Sequence, residues 1–292
     1  MRVFVTGATG FIGTQVTADL LAAGHQVLGL TRSDSGAAKL KSAGAKPHFG
    51  SLEDLESLRR GAAASDAVIH LAFNHDFSNI AQICETDRAV IEAMGAVLAG
   101  SSRKLLFASP TAVAFTPGRA STEDDPPNAQ NPRIASEHAA EALQAKGVHA
   151  IAIRIPQVHD PIKQGLVSYL AGIAREKGIS AYVGEGANRW PAVHVRDAAR
   201  LFRLALENGQ AGLRYHAVAE EGVTLKDIAM ALGKGLGVPV TSKTAEEAEA
   251  YFGWFGMFVA ADIPASGRLT QQRLGWQPSG PTLLADLAEA KF

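Results

Sequence analysis

Met1-Arg-Val-Phe-Val-Thr-Gly-Ala-Thr-Gly-Phe-Ile-Gly13 decides the fold. Val3, Phe4 and Val5 read as a short buried strand, an apolar run with β-branched residues that stops at glycine. Gly7, Gly10 and Gly13 follow at three-residue spacing, and Ile12, Val16, Leu20 and Ala23 then recur at helical spacing until Gly24. Strand, glycine turn and helix in that order are the context of a dinucleotide fingerprint. Its glycines allow the tight turn, the approach of backbone to pyrophosphate and close packing of helix on strand. The free N–H groups at the helix start suit the pyrophosphate charge.

Thr6-Gly-Ala-Thr-Gly-Phe-Ile-Gly13 closely resembles the nucleotide loop of the extended and atypical short-chain dehydrogenase/reductases, the NAD(P)-dependent epimerase/dehydratase group. The resemblance runs along nearly the whole chain. It implies that Gly7, Thr9, Gly10, Phe11, Ile12 and Gly13 hold the cofactor. Val27, Leu28 and Leu30 form the second strand, followed by Thr31, Arg32 and Ser33 with no acid directly after it. An acid there would hold the ribose hydroxyl of NAD, whereas arginine accommodates the 2′-phosphate of NADP. NADP is therefore expected over NAD, with Arg32 and Ser33 as contacts. Ser51-Leu52 resembles the adenine-contacting position, with Ser51 where aspartate is common. Asp66-Ala-Val-Ile-His-Leu-Ala72 resembles the fourth strand, whose end passes the cofactor at Leu71, Ala72 and Phe73. His70 within it reads as a packed core histidine. Arg154-Ile-Pro-Gln-Val-His-Asp-Pro161 resembles R-x-P-x-x-Y-G-P, placing Pro156 and Val158 at the cofactor and His159 where tyrosine is common.

A chain of 292 residues can bury a sizeable core, and 47% hydrophobic content is ordinary for a globular protein. A formal net charge of −1 argues against an electrostatic nucleic-acid or anionic-membrane binder. The single cysteine, Cys84, excludes an intrachain disulfide and a cysteine zinc cluster. The N-terminus reads as structural strand and not as a signal peptide, and Tyr251–Ala261 is too short an apolar stretch to span a bilayer. The expected address is the cytoplasm and the expected partner a small molecule, with no nucleic acid, no membrane and no metal. A homodimer is left open.

Alternating strands and helices argue an α/β fold, a Rossmann-type doubly wound parallel sheet with a smaller C-terminal substrate lobe. The expected division is a nucleotide-binding domain over 1–158, to which 195–218 returns, and a substrate lobe from 159–194 and 219–292. Val193-His-Val-Arg-Asp197 resembles V-H-V-x-D, and Arg273-Leu-Gly-Trp-Gln-Pro278 resembles the C-terminal L-G-W-x-P. The acidic run Glu123-Asp-Asp125 reads as a solvated face.

The resemblance also says where chemistry belongs. Family members carry Y-x-x-x-K on a helix and a Ser or Thr after the fifth strand; the tyrosine passes the proton while the lysine lowers its pKa. Here Arg133 stands at the tyrosine position, Glu137 at the lysine position and Pro110 at the Ser/Thr position, flanked by Ser109 and Thr111. Arginine stays protonated and cannot shuttle a proton. Arg133 reads either as half of an i,i+4 ion pair with Glu137 or as a donor to a substrate oxygen or carboxylate. Thr111, Ser109 and His75 remain as polar contacts to a reacting oxygen, His75 in the loop 73–77 at the carboxyl ends of the strands. Asn74, His159, Trp190, Trp254 and Met257 are the expected substrate contacts. Trp190 falls where nucleotide-sugar enzymes commonly hold the diphosphate with arginine, although Arg189 is adjacent. The aromatic stretch Tyr251–Phe258 suits an apolar pocket.

The expected function is an atypical NADP(H)-dependent reductase or dehydrogenase of a carbonyl or hydroxyl on a small, largely apolar substrate. Three alternatives stay open: an NADP(H)-binding sensor or partner-binding protein without turnover, a nucleotide-sugar epimerase/dehydratase, and a lyase or isomerase without net redox.

Overall fold

The computed structural model describes residues 1–75 and 79–292. The chain alternates strand and helix through its first two hundred or so residues: β1 (Arg2–Thr6), α1 (Phe11–Ala22), β2 (Gln26–Thr31), α2 (Asp34–Ser42), β3 (Lys46–Phe49), α3 (Leu55–Ala63), β4 (Ala67–His70), α4 (Ile80–Leu98), β5 (Lys104–Pro110), α5 (Ile134–Gln144), β6 (His149–Ile155), β7 (Gln157–His159), α6 (Val167–Lys177), β8 (Ser180–Val183), β9 (Arg189–His194) and α7 (Val195–Asn208). It continues with β10 (Arg214–His216), β11 (Glu220–Thr224), α8 (Leu225–Leu236), β12 (Val240–Lys243), α9 (Ala245–Phe252), α10 (Gly256–Val259), α11 (Arg268–Leu274) and α12 (Leu283–Glu289).

The main sheet runs β10-β6-β5-β4-β1-β2-β3, parallel at each neighbouring pair. Both faces are covered, as a parallel sheet requires. Val3, Val5, Leu106, Ile151 and Ile153 face α1 and α7, where Val16, Leu20, Phe202 and Leu206 complete one core. Phe4, Val68, Leu105 and Phe107 face α3, α4 and α5, where Leu58, Met94 and Leu143 complete the other. The strand order reverses between β1 and β4. That is the switch point of a doubly wound sheet, and ligands bind outside the strand ends there. Thr6 and His70 are the register partners that close β1 on β4 at that end.

A second group of elements has its own core. β7, β9 and β11 form a three-stranded sheet, and β8 pairs in parallel with β12. Trp190, Val223, Ile228, Phe252, Phe255 and Leu283 pack together beneath them. The sequence after Gly222 reads as helices and short turns, but β12 forms there; a strand of four residues carries too little alternation to be seen. The acidic run also differs from expectation. Asp125 pairs with Arg119 and Asp124 with Arg273, but Glu123 is buried and accepts from the Thr270 N–H at 2.6 Å and its hydroxyl at 2.7 Å.

Candidate active site

The glycine turn is built for close approach. Gly7 has φ +68°, and a Cβ there would sit 2.8 Å from the Ala72 backbone nitrogen. A Cβ on Gly13 would meet the Gly7 carbonyl oxygen at 1.9 Å. Gly10 caps α1 without a side chain, and the first turn of α1 holds no acid. The N–H groups and positive end of the dipole are thus left to an external anion. The residues present fit a dinucleotide pyrophosphate.

At the switch point a polar chain links four elements. The Thr6 hydroxyl oxygen accepts from the Leu71 and Ala72 N–H groups at 3.2 Å each, so its own proton goes to His70 Nδ1 at 2.6 Å. His70 Nε2–H therefore donates to Asp87 Oδ1 on α4 at 2.9 Å, which fixes a neutral imidazole tautomer. The other Asp87 oxygen accepts from Ser136 on α5 and lies 3.5 Å from Arg133 Nη1. Burial pushes the Asp87 carboxyl up, but His70, Arg133 and Ser136 outweigh it and hold it below its ordinary range.

Arg133 sits at the start of α5, where the Asn131 side chain accepts from its backbone N–H at 3.0 Å and donates to Ala112 at 3.3 Å. Its guanidinium lies 3.6 Å over the Phe73 ring and donates from Nη2 to the Ala108 carbonyl at 3.3 Å. Nη1 is buried and makes no hydrogen bond. The expected ion pair with Glu137 is not formed. Glu137 faces the other way, accepting from Arg154 Nε and Nη2 at 2.8 Å each, Arg214 Nε at 2.8 Å and the Ser109 hydroxyl at 3.1 Å. Burial alone would raise its pKa; the two arginines bring it down. One turn of helix cannot hold both groups to each other when two fully anchored arginines claim the carboxylate.

A model of the NAD-dependent epimerase/dehydratase family matches residues 3–219. The chain belongs to that family. An uncharacterised protein of Schizosaccharomyces pombe is 49% identical over 294 residues, covering all of both chains. The 2-alkyl-3-oxoalkanoate reductase of Stenotrophomonas maltophilia is 27% identical over 272 residues, 86% of this chain and 80% of that one. A dTDP-glucose 4,6-dehydratase from Streptomyces venezuelae, solved with NAD, superposes with a TM-score of 0.80 at 21% identity, covering 99% of this chain and 95% of that one. That likeness establishes the Rossmann-type fold.

Within this family member the remaining site residues divide into those at the crevice and those enclosed elsewhere. Leu71, Ala72 and Phe73 follow β4 at the switch point, tied to Thr6, and Phe11 and Ile12 open α1. Thr111 begins a short 3-10 turn directly after β5 and is buried. His75 stacks edge-on against Phe73 at 5.5 Å. Desolvation lowers its pKa, as do the Arg133 and Lys163 charges, against a bond to the Phe73 backbone that raises it. Asp76 and Phe77, the end of the expected loop, lie outside the described residues. Lys163 Nζ stands 5.7 Å from the Phe11 ring centre, so its charge reaches both the glycine turn and His75.

Arg32 is exposed after β2, and Ser33 caps α2 by accepting from the Gly36 N–H at 3.2 Å. Ser51 donates to Glu53, whose carboxyl is lowered by that bond first and also by Arg32. Ser109, expected at the reacting oxygen, turns instead to Glu137. His159 and Trp190, taken as substrate contacts, are fully enclosed: His159 Nδ1 bonds Asp286 at 2.6 Å, and Trp190 packs edge-on to Phe255 at 6.4 Å. β7 and β9 belong to one three-stranded sheet, and both side chains are enclosed by it and the elements packed on it. Trp254 and Met257 are 54% and 73% exposed, and Trp254 packs on Tyr169, Phe255 and Phe258. Arg189 is engaged by Asp262 through Nε at 3.1 Å and Nη2 at 3.0 Å.

Thr6, Asp87, Arg154, Arg214 and Lys163 were missed from sequence. Asp87 had a signal, as an acid on the apolar stripe of α4 between Cys84, Val90 and Ile91. Lys163, a loop lysine, had none. Among the described residues no helix is long and apolar enough to cross a membrane, and no group of three or more His, Cys, Asp or Glu could hold a metal.

Proposed function

We propose that this family member is an NADP(H)-dependent oxidoreductase acting on a carbonyl or hydroxyl of a small, largely apolar substrate. The observation that carries the reading is the crevice at the β1/β4 switch point. There the glycine turn leaves the first N–H groups of α1 uncapped, Phe73 and His75 follow β4, Thr111 follows β5, and Arg133 lies over Phe73. When bound, the cofactor supplies hydride. Thr111 holds the carbonyl oxygen, His75 delivers or removes the proton, and Arg133 fixes the substrate's orientation. The chain divides for this work into a nucleotide-binding part, 1–158 with 195–218, and a lobe of 159–194 and 219–292 that carries Trp254 and Met257. The oxoalkanoate reductase shows that a relative is named for carbonyl reduction, and it supports the redox reading over a binding-only protein. Arg32, Ser33 and the start of α2 support NADP.

The test is turnover across a panel of aldehydes and ketones, followed by nicotinamide absorbance with each reduced cofactor. Reduction with NADPH preferred is the expected result. Tight NADPH binding without turnover of any carbonyl would assign the protein to the sensor class.

A further inference from the structure

Arginine differs from tyrosine in one respect that decides what it can bind. A tyrosine at this point of the crevice hands its proton to an oxygen that becomes neutral. Arg133 cannot release a proton, so the oxygen it stabilises best is one that stays fully charged. Its surroundings leave that role open. Phe73 covers one face of the guanidinium at 3.6 Å, and Nη2 bonds Ala108. Nη1 is buried without a hydrogen bond, 3.5 Å from an Asp87 carboxylate already bonded by His70 and Ser136. A buried N–H without a partner is unfavourable unless a ligand supplies the acceptor. A second cation acts on His75 from the glycine-turn side: Lys163 lies over Phe11, on a tight turn fixed by Asp160, which accepts from the Ile162 N–H at 2.8 Å and the Lys163 N–H at 2.7 Å.

We infer that Arg133 is the core of a carboxylate-recognition site, and that the substrate is an oxo acid or the matching hydroxy acid. Its carboxylate docks on Arg133 and its carbonyl lies toward Thr111 and His75. This rests on the oxidoreductase reading and specifies its substrate class. The reaction is R–CO–R′ + NADPH + H⁺ → R–CH(OH)–R′ + NADP⁺: hydride adds to the carbonyl carbon, the proton goes to the carbonyl oxygen, and the carboxylate is unchanged. The bidentate, charge-assisted pairing of a guanidinium with a carboxylate is what an ester cannot reproduce.

The test separates binding from turnover. Protein loaded with NADP⁺ is titrated calorimetrically with pyruvate, acetoacetate and levulinate, each against its methyl ester. Oxidised cofactor with an oxo compound cannot react, so only affinity is read. At least one acid is expected to bind about tenfold or more tighter than its ester. Arg133→Met removes that preference, and Arg133→Lys keeps part of it. Esters bound as tightly as acids in wild type overturn the inference, as does a preference that survives in Arg133→Met. The wild-type comparison decides the matter even where a variant does not fold. Acids bound through Arg133 but never reduced by NADPH would remove the oxidoreductase reading and leave the carboxylate site standing. Ketones and esters reduced while acids are ignored would do the reverse.

Discussion

At position 75 the histidine has to be charged to act as an acid, and its neighbours work against that. Desolvation, Arg133 and Lys163 hold its pKa below the usual value of about 6.5. The protonated form therefore dominates only below that point. Reduction rates should fall as pH rises through a pKa below about 6.5, and oxidation rates should rise through the same pKa. His75→Ala should remove this limb from pH–rate profiles taken in both directions; a limb that persists assigns the proton to another group. Arg32 governs a separate choice. Its exposed guanidinium is the cation expected to meet a 2′-phosphate, so Arg32→Ala should weaken NADP binding by about 1.5–3 kcal/mol and leave NAD nearly unchanged. Glu53 shares its field with Arg32, so Glu53→Gln should shift preference further toward NADP. Equal wild-type affinity for the two cofactors, measured by fluorescence titration, would end the assignment.

On α5 the two positions one turn apart have separate fates, and the difference is set by the neighbouring strands. Glu137 lies between Arg154 of β6 and Arg214 of β10, both of which bond it at 2.8 Å. Removing the negative charge leaves the buried Arg154 and the half-buried Arg214 facing each other without it. Glu137→Gln should destabilise the fold by roughly 3–5 kcal/mol, and Glu137→Lys, which restores the usual family residue, should yield little folded protein. Urea denaturation checks the first and soluble yield the second. Beside this clamp His216 is buried against Arg154, and desolvation with that charge pushes its pKa down to about 3. A pKa lowered on folding gives stability that is present above the unfolded value, about 6.5, and is lost as pH falls toward 3. Unfolding free energy should therefore drop by roughly 1.4 kcal/mol per pH unit below pH 6.5 for this proton. His194, also lowered first by desolvation, adds in the same direction. His216→Gln should flatten the slope between denaturation curves at neutral and acid pH. The parallel sheet and the glycine turn were legible because periodicity, glycine spacing and strand–helix alternation are local. The partners of Glu137 were not: Arg154 lies on the next strand but its pairing depends on how α5 packs on β6, and Arg214 comes from a strand 77 residues away that only the sheet order brings alongside. Arg133 was visible as an odd residue in a familiar register, while its contact with Asp87 depended on how α4 and α5 pack.

Across the whole molecule, the lobe proposed for substrate has a core of its own. Its core is aromatic, with Trp190, Phe252 and Phe255 buried, while Trp254, Met257 and Tyr169 stay exposed. The arginine that could serve a nucleotide diphosphate, Arg189, is bound in two places to Asp262 on the segment after α10. Both partners of that pair are more than 40% exposed, 43% and 44%, so its effect on stability is small. Asp262→Asn should change the unfolding free energy by less than about 1 kcal/mol. Its effect on ligand choice is the larger expectation, because Arg189 hydrogen-bonds one carboxylate through both Nε and Nη2 and must give up both bonds before it can take a phosphate. NADP-loaded wild-type protein should show no micromolar binding of a UDP-sugar. It should respond to small oxo compounds through tryptophan fluorescence, with the exposed Trp254 as the reporting ring and Trp190 and Trp276 buried. Trp254→Phe should remove most of that optical response while calorimetry still registers the heat of binding. Micromolar affinity of the wild type for a UDP-sugar, lost on Arg189→Ala and accompanied by silence toward every oxo compound, would return the protein to the sugar-modifying branch of its family. Binding of the sugar by Asp262→Asn alone would instead show that the Arg189–Asp262 pair is what excludes it.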